Sequence, residues 1–147
     1  GRKFLGYELW VAKGREVKCA VAAKALNDFK ARTRQLTRRS GGRSMEQVVQ
    51  GLRPYLLGWK GYFRMAQTPN VWRELDKWLR HRLRAIQLKQ WQQGATIYRE
   101  LLALGARPAI AKRVAGNSRR WWRNSAKSLN NVLTVAWFDR LGLPRLS

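Results

Sequence analysis

One cysteine, Cys19, and one histidine, His81, are all that this chain of 147 residues offers a soft or borderline metal. A structural zinc site takes four nitrogen or sulfur ligands, so neither that site nor a histidine-based nuclease centre can be built, and no metal ligands are assigned. Acids are scarce too. Eight Asp and Glu are spread singly along the chain, and the nearest pair, Glu74 and Asp76, points apart at i, i+2 on a helix. Two-metal phosphoryl transfer needs clustered carboxylates, and no glycine-rich phosphate loop stands in for them. The chain is therefore not expected to be an enzyme by itself, and no cofactor is expected. A lone cysteine also excludes an internal disulfide framework and fits a reducing compartment. No apolar run approaches the roughly 18 residues of a membrane span, and no signal peptide is visible.

What the chain has in excess is positive charge. Thirty-one Lys and Arg give a formal charge of +23, with eight tryptophans among them. Such an imbalance repels itself on compaction and is normally kept where a polyanion neutralises it. A pI near 11.7 is the footprint of a nucleic-acid binder; an anionic membrane surface is the electrostatic alternative. The charge is not a tail, because residues 1–73 carry sixteen basic side chains and residues 74–147 fifteen. Apolar residues make up 45% of the chain, which argues against disorder, and a domain of this length can bury roughly 70% of its unfolded surface. The chain begins at Gly1 with Met only at 45 and 65, so it reads as a fragment or as a chain that has lost its own start.

Hydropathy patterning predicts a mainly α fold: a short N-terminal β-hairpin followed by a bundle of five to six helices. Leu5, Tyr7, Leu9 and Val11 alternate as in a strand, Lys13-Gly14 supplies a turn, and Val17, Cys19 and Val21 alternate again. From Ala22 the period becomes helical, with Leu26, Phe29, Thr33 and Leu36 on one stripe. Ser44 and Gln47 have the spacing of a capping box, followed by the stripe Met45, Val48, Val49, Leu52, Leu56, Trp59 and Phe63. Pro54 predicts a kink or a break near 51–54. Gly58 and Gly61 flank Trp59, for close helix packing or for a direct backbone approach to a phosphate. The longest helix spans about 71–92, with Val71, Trp72, Leu75, Trp78, Leu79, Leu83 and Ile86 on one face. Shorter helices follow at 95–104, capped by Gly105, and at 108–115. A last one starts at Ser125 or Ser128 and runs to about 141, with Leu129, Val132, Leu133, Ala136 and Trp137 inward.

Candidate contacts come from cations beside aromatics. Arg73, Lys77, Arg80 and Arg84 make a basic stripe opposite the apolar face of the longest helix, read as phosphate-binding, with a solvated face as the plain alternative. Arg82 projects from the apolar face instead and needs a partner for its guanidinium. Arg38, Arg39 and Arg43 sit in a glycine-containing loop suited to backbone contacts, which position a ligand without reading sequence. Lys60 and Lys89 add to the basic set. Arg119, Arg120 and Arg123 surround Trp121 and Trp122; one tryptophan anchors the loop to the core, and the other, Trp122 as the candidate, either joins it there or stacks on an unpaired base. Trp59 and Trp78 are assigned to the core, and His81 to an exposed helix surface.

Five segments in one register carry a family pattern: Phe4-Leu5-Gly6-Tyr7; Phe29 to Arg38 with Gly42-Arg43-Ser44; Tyr55 to Phe63, with its Gly-Trp-Lys-Gly-Tyr-Phe; Leu75-Asp76-Lys77-Trp78-Leu79-Arg80-His81-Arg82-Leu83-Arg84; and Lys89-Gln90-Trp91. In them the chain resembles the C-terminal part of a bacterial group II intron reverse transcriptase, the intron-encoded maturase. Residues 117–147 match less distinctively. The resemblance implies that residues 1–21 are the end of the palm, with Phe4, Leu5, Gly6 and Tyr7 in its primer grip. Residues 22–92 would be the thumb, or maturase X domain, and 93–147 a C-terminal helical nucleic-acid-binding region. It implies binding of group II intron RNA to assist splicing and intron mobility, in the bacterial cytoplasm, with the rest of the reverse transcriptase as partner. A template–primer duplex or target DNA is the further ligand it suggests, and a basic structural RNA-assembly protein is the rival reading. The family's catalytic aspartates and their Mg2+ belong to a polymerase domain that this stretch lacks.

Overall fold

The computed structural model describes residues 2–4, 6–11, 17–38, 43–64, 66, 69–116 and 132–147. The N-terminal strands are β1 (Arg2–Phe4), β2 (Tyr7–Val11) and β3 (Val17–Val21), antiparallel in the order β1-β2-β3. The single strand expected over 4–11 is interrupted at Gly6, whose φ of +85° reverses the chain so that Phe4 faces Tyr7 and Arg2 faces Leu9. A β-carbon at Gly6 would stand 3.0 Å from Cζ of Phe63, so only glycine combines that backbone turn with so close an approach. Tyr7 then pairs with Val21, and the Tyr7 hydroxyl donates to the carbonyl of Tyr62. The strands are thereby fixed to the helices.

Among the described residues the helices are α1 (Ala23–Thr37), α2 (Met45–Tyr62), α3 (Pro69–Trp91), α4 (Gly94–Ala103), α5 (Pro108–Gly116) and α6 (Val135–Arg140); the protein is mainly helical. Helix α2 starts with both halves of the capping box: the Gln47 amide donates to Ser44 Oγ at 3.2 Å, and the Ser44 amide to Gln47 Oε1 at 2.9 Å. No break occurs at Pro54. The helix continues through it to Tyr62, because Gln50 and Pro54 lie on the exposed side, where water can take the carbonyl that proline leaves unbonded. All of Met45, Val48, Val49, Leu52, Leu56, Trp59 and Phe63 are buried. Gly58 and Gly61 are not used for packing: beyond the backbone of their own helix, no described atom lies within 4 Å of a β-carbon built at either.

One apolar cluster joins these elements. Its aromatic centre is Phe29 of α1, Trp59 of α2 and Trp72 of α3, with Trp59 4.6 Å from Phe29 and 5.3 Å, edge-on, from Trp72 by ring centroids. Such tilted pairs each add roughly 0.5–1.5 kcal/mol beyond the area they bury. Helices α4 and α5 continue the cluster through Ile97, Leu101, Ala111 and Val114. The last helix differs from the expected one. Thr134 caps α6 by accepting from the Trp137 amide. Leu133 is fully buried ahead of that helix, Phe138 is its buried residue, and Ala136 is exposed. Ser125, Ser128 and Leu129 lie outside the described residues.

Candidate nucleic-acid interface

The basic stripe of α3 is divided by burial. Arg73 and Lys77 are exposed, whereas Arg80 and Arg84 are only 2% and 6% exposed. This corrects the expectation of four solvent-facing cations. A helical wheel shows one helix alone, but residues 132–147 cover the second face of α3. Arg84 Nε donates to the carbonyl of Leu133 at 2.7 Å, and its guanidinium lies 5.6 Å from the centre of the Phe138 ring. Burial, with Arg80 adding to it, pushes the Arg84 guanidinium down to about 10, so it stays charged at neutral pH. Arg80 lies 3.4 Å from Asp76 and forms a longer ion pair, at 3.8 Å, with Asp139. Burial lowers its pKa too, and the two carboxylates oppose that shift.

Asp76 also holds the chain end. Its carboxylate accepts from the amides of Leu146 and Ser147, at 2.8 and 3.0 Å, and from the Ser147 hydroxyl at 2.7 Å. From α2, Gln50, Arg53 and Lys60 donate to the carbonyls of Leu141, Gly142 and Arg145. Lys60, placed in the RNA-binding set, is exposed with its ammonium turned to residue 145 at 2.8 Å. The closing segment is thus strapped to α2 and α3 largely by its own backbone.

Arg82 reaches α1. Its Nε donates to Thr37 Oγ1 at 3.0 Å and one terminal nitrogen to the Arg34 carbonyl at 3.4 Å, where the last carbonyls of a helix favour a cation. Burial, and after it the Arg34 charge, lowers the pKa of this half-buried guanidinium. Arg43 binds the same helix end. It donates to the Leu36 carbonyl at 3.3 Å, while Gln90 of α3 holds the Arg43 carbonyl at 2.8 Å. Arg43, expected on a nucleic-acid loop, is half-buried and clamps the end of α1, where the carbonyls of a helix terminus need donors.

Exposed cations remain elsewhere. Arg38, Arg73, Lys77 and Lys89 are exposed; Lys77 makes an open 3.4 Å pair with Glu74, a type worth little. Lys30 and Arg34 join them as candidates that the basic stripe and the loops did not include. Together with Arg38, which caps the end of α1, they recur every four residues, and that spacing was legible. What was not legible is that both stand over the half-buried indole of Trp78, with Lys30 Nζ 5.5 Å and Arg34 Cζ 5.4 Å from its ring centre. A groove of about 560 Å³ opens between α1 and α3 at this point. His81, expected to be exposed, is half-buried in its wall. Trp59, by contrast, is in the core as assigned. Leu5, Arg39, Arg119, Arg120, Trp121, Trp122 and Arg123 lie outside the described residues, and Phe4 is described in its backbone alone.

Among the described residues no group of three or more His, Cys, Asp or Glu is placed to hold a metal ion, and no helix is long and apolar enough to cross a membrane. Residues 26–103 match the family described as "Group II intron, maturase-specific domain". The matched stretch runs from Leu26 in α1 to the last residue of α4, beyond the expected boundary at 92. No curated protein matches the chain.

Proposed function

Since this chain belongs to the group II intron maturase-specific domain family and carries the maturase function of those introns, in splicing and intron mobility, we propose that it grips its intron RNA through α1 and the first turns of α3. The observation that carries this reading is the placement of Lys30 and Arg34 along α1 and Arg38 at its cap, with Arg73 and Lys77 on the neighbouring α3. Phosphates supply the affinity for such side chains, and released counterions make it depend on salt. The intron RNA would do the splicing chemistry while the protein holds it in its active shape. This is a maturase domain and not a polymerase active site.

Residues 1–21, 22–92 and 93–147 are assigned to the end of a palm, a thumb and a C-terminal nucleic-acid-binding region of a reverse transcriptase, in the bacterial cytoplasm. The fixed contact of Tyr7 with Tyr62, and of Asp76 with residues 146 and 147, supports their acting as one body. Target DNA and a template–primer duplex are further ligands of the same basic surface. Filter binding to the intron RNA tests the central claim. With six to eight phosphates neutralised, log K falls against log salt with a slope of about −4 to −7. A flat salt dependence sinks it.

A further inference from the structure

We propose that the groove between α1 and α3 is a pocket for one unpaired nucleobase of an RNA ligand, stacked on Trp78. The inference rests on the RNA-binding reading above and adds a site to it. Leu26, Val71 and Leu75 give the groove an apolar lining, Trp78 an aromatic wall, and Lys30 and Lys77 two cations. Its volume of about 560 Å³ falls within the roughly 300–1,000 Å³ of small-molecule sites. Apolar lining with a few convergent polar groups suits a flat, neutral ring with polar edges, and does not suit a phosphate.

Charge sorts the two parts of a nucleotide. Glu74, the one acid among the lining residues, repels a phosphate inside the groove but accepts from the amino group of a base. The phosphates on either side of that base then meet Lys30 and Lys77, with Arg34 one turn along α1 and Arg73 one turn back on α3. The open Lys77–Glu74 pair, with both side chains about three-quarters exposed, gives way at little cost. Stacking needs an indole that is held in place yet reachable. Trp78 is such a ring: half-buried, packed 6.4 Å from Phe29 by centroids, with the long side chains of Lys30 and Arg34 over it, which a base entering the groove displaces towards its own phosphates. A base-paired helix cannot place a base there, so the pocket selects bulges and loops over duplex.

The test uses three RNA hairpins of one stem: one fully paired, one with a single-adenosine bulge, and one with an abasic residue in that bulge. The full chain should bind the adenosine bulge at least about fivefold more tightly than the abasic bulge. Trp78→Leu should remove that difference while leaving the fully paired hairpin bound as before, and Trp78→Phe should restore part of it. Thermal melts accompany each variant; should Trp78→Leu fail to fold, the wild-type comparison and a reduced preference in Glu74→Ala, which removes the acceptor for the adenine amino group, still decide the matter. Equal binding of the two bulges by the wild-type chain overturns the pocket. So does a preference that survives in a folded Trp78→Leu. Binding of none of the three hairpins overturns the RNA reading itself, and the pocket with it.

Discussion

Arg84 on α3 donates its Nε to the carbonyl of Leu133 across 49 positions of sequence, at 2.7 Å. That bond, with the Asp76–Arg80–Asp139 group one turn away, turns half of a basic stripe into the attachment of the closing segment. Cations of the same type and spacing on one helix therefore serve two ends.

The two halves of the stripe should separate in experiment. Arg80→Gln and Arg84→Gln should each cost on the order of 2–3 kcal/mol in urea unfolding, because buried acceptors lose a charged donor. Arg73→Gln with Lys77→Gln should change stability by less than about 0.5 kcal/mol and weaken RNA binding severalfold. A double variant at 73 and 77 that melts early, or an Arg84 variant as stable as wild type, contradicts the division.

Arg82 and Thr37 should be coupled. Arg82→Ala leaves the Thr37 hydroxyl and the Arg34 carbonyl without this donor, at roughly 1–3 kcal/mol. In a double-mutant cycle with Thr37→Val the two losses should fall short of additivity by at least about 0.5 kcal/mol. Strict additivity would mean that the bond contributes nothing.

Acid should loosen the closing segment. The hydrogen bond from Arg145 holds the Asp139 carboxyl below its ordinary value of 3.8. The folded value lies below the unfolded one, so this contribution is present above the ordinary carboxylate range and disappears as pH falls through and below it. Melting temperature should therefore drop more steeply below about pH 4 in the wild-type chain than in Asp139→Asn. Parallel curves would remove Asp139 from the account.

Gly6→Ala probes the joint between strands and helices. Alanine at φ +85°, with its β-carbon 3.0 Å from the Phe63 ring, should cost about 1 kcal/mol or more. Amide exchange in β2 should speed up as the Tyr7–Tyr62 contact is released. Unchanged exchange at normal stability would show that the turn tolerates a side chain.

Features that depend on neighbours in sequence were readable in advance. Ser44 and Gln47 satisfy each other within one turn, so three residues of spacing suffice to place the start of α2. The stripe from Met45 to Phe63 lies inward because its period matches the helix. Arg82 announced an internal partner by standing among Leu75, Trp78, Leu79 and Ile86, although its neighbours could not say that the partner was the end of α1. Arg80 and Arg84 gave no such signal. Their face of α3 looks solvated until Leu133, Phe138 and Asp139 arrive from 49 or more positions along the chain, and a carbonyl acceptor leaves no mark in side-chain chemistry. The groove at Trp78 has the same origin: its indole belongs to α3, and the two cations over that ring to α1. Local periodicity decided which helices form and which stripe each one buries, because those are properties of consecutive residues. Which cations bond the protein and which remain at the surface was decided by the packing of distant segments, because burial of a charge depends on what covers it.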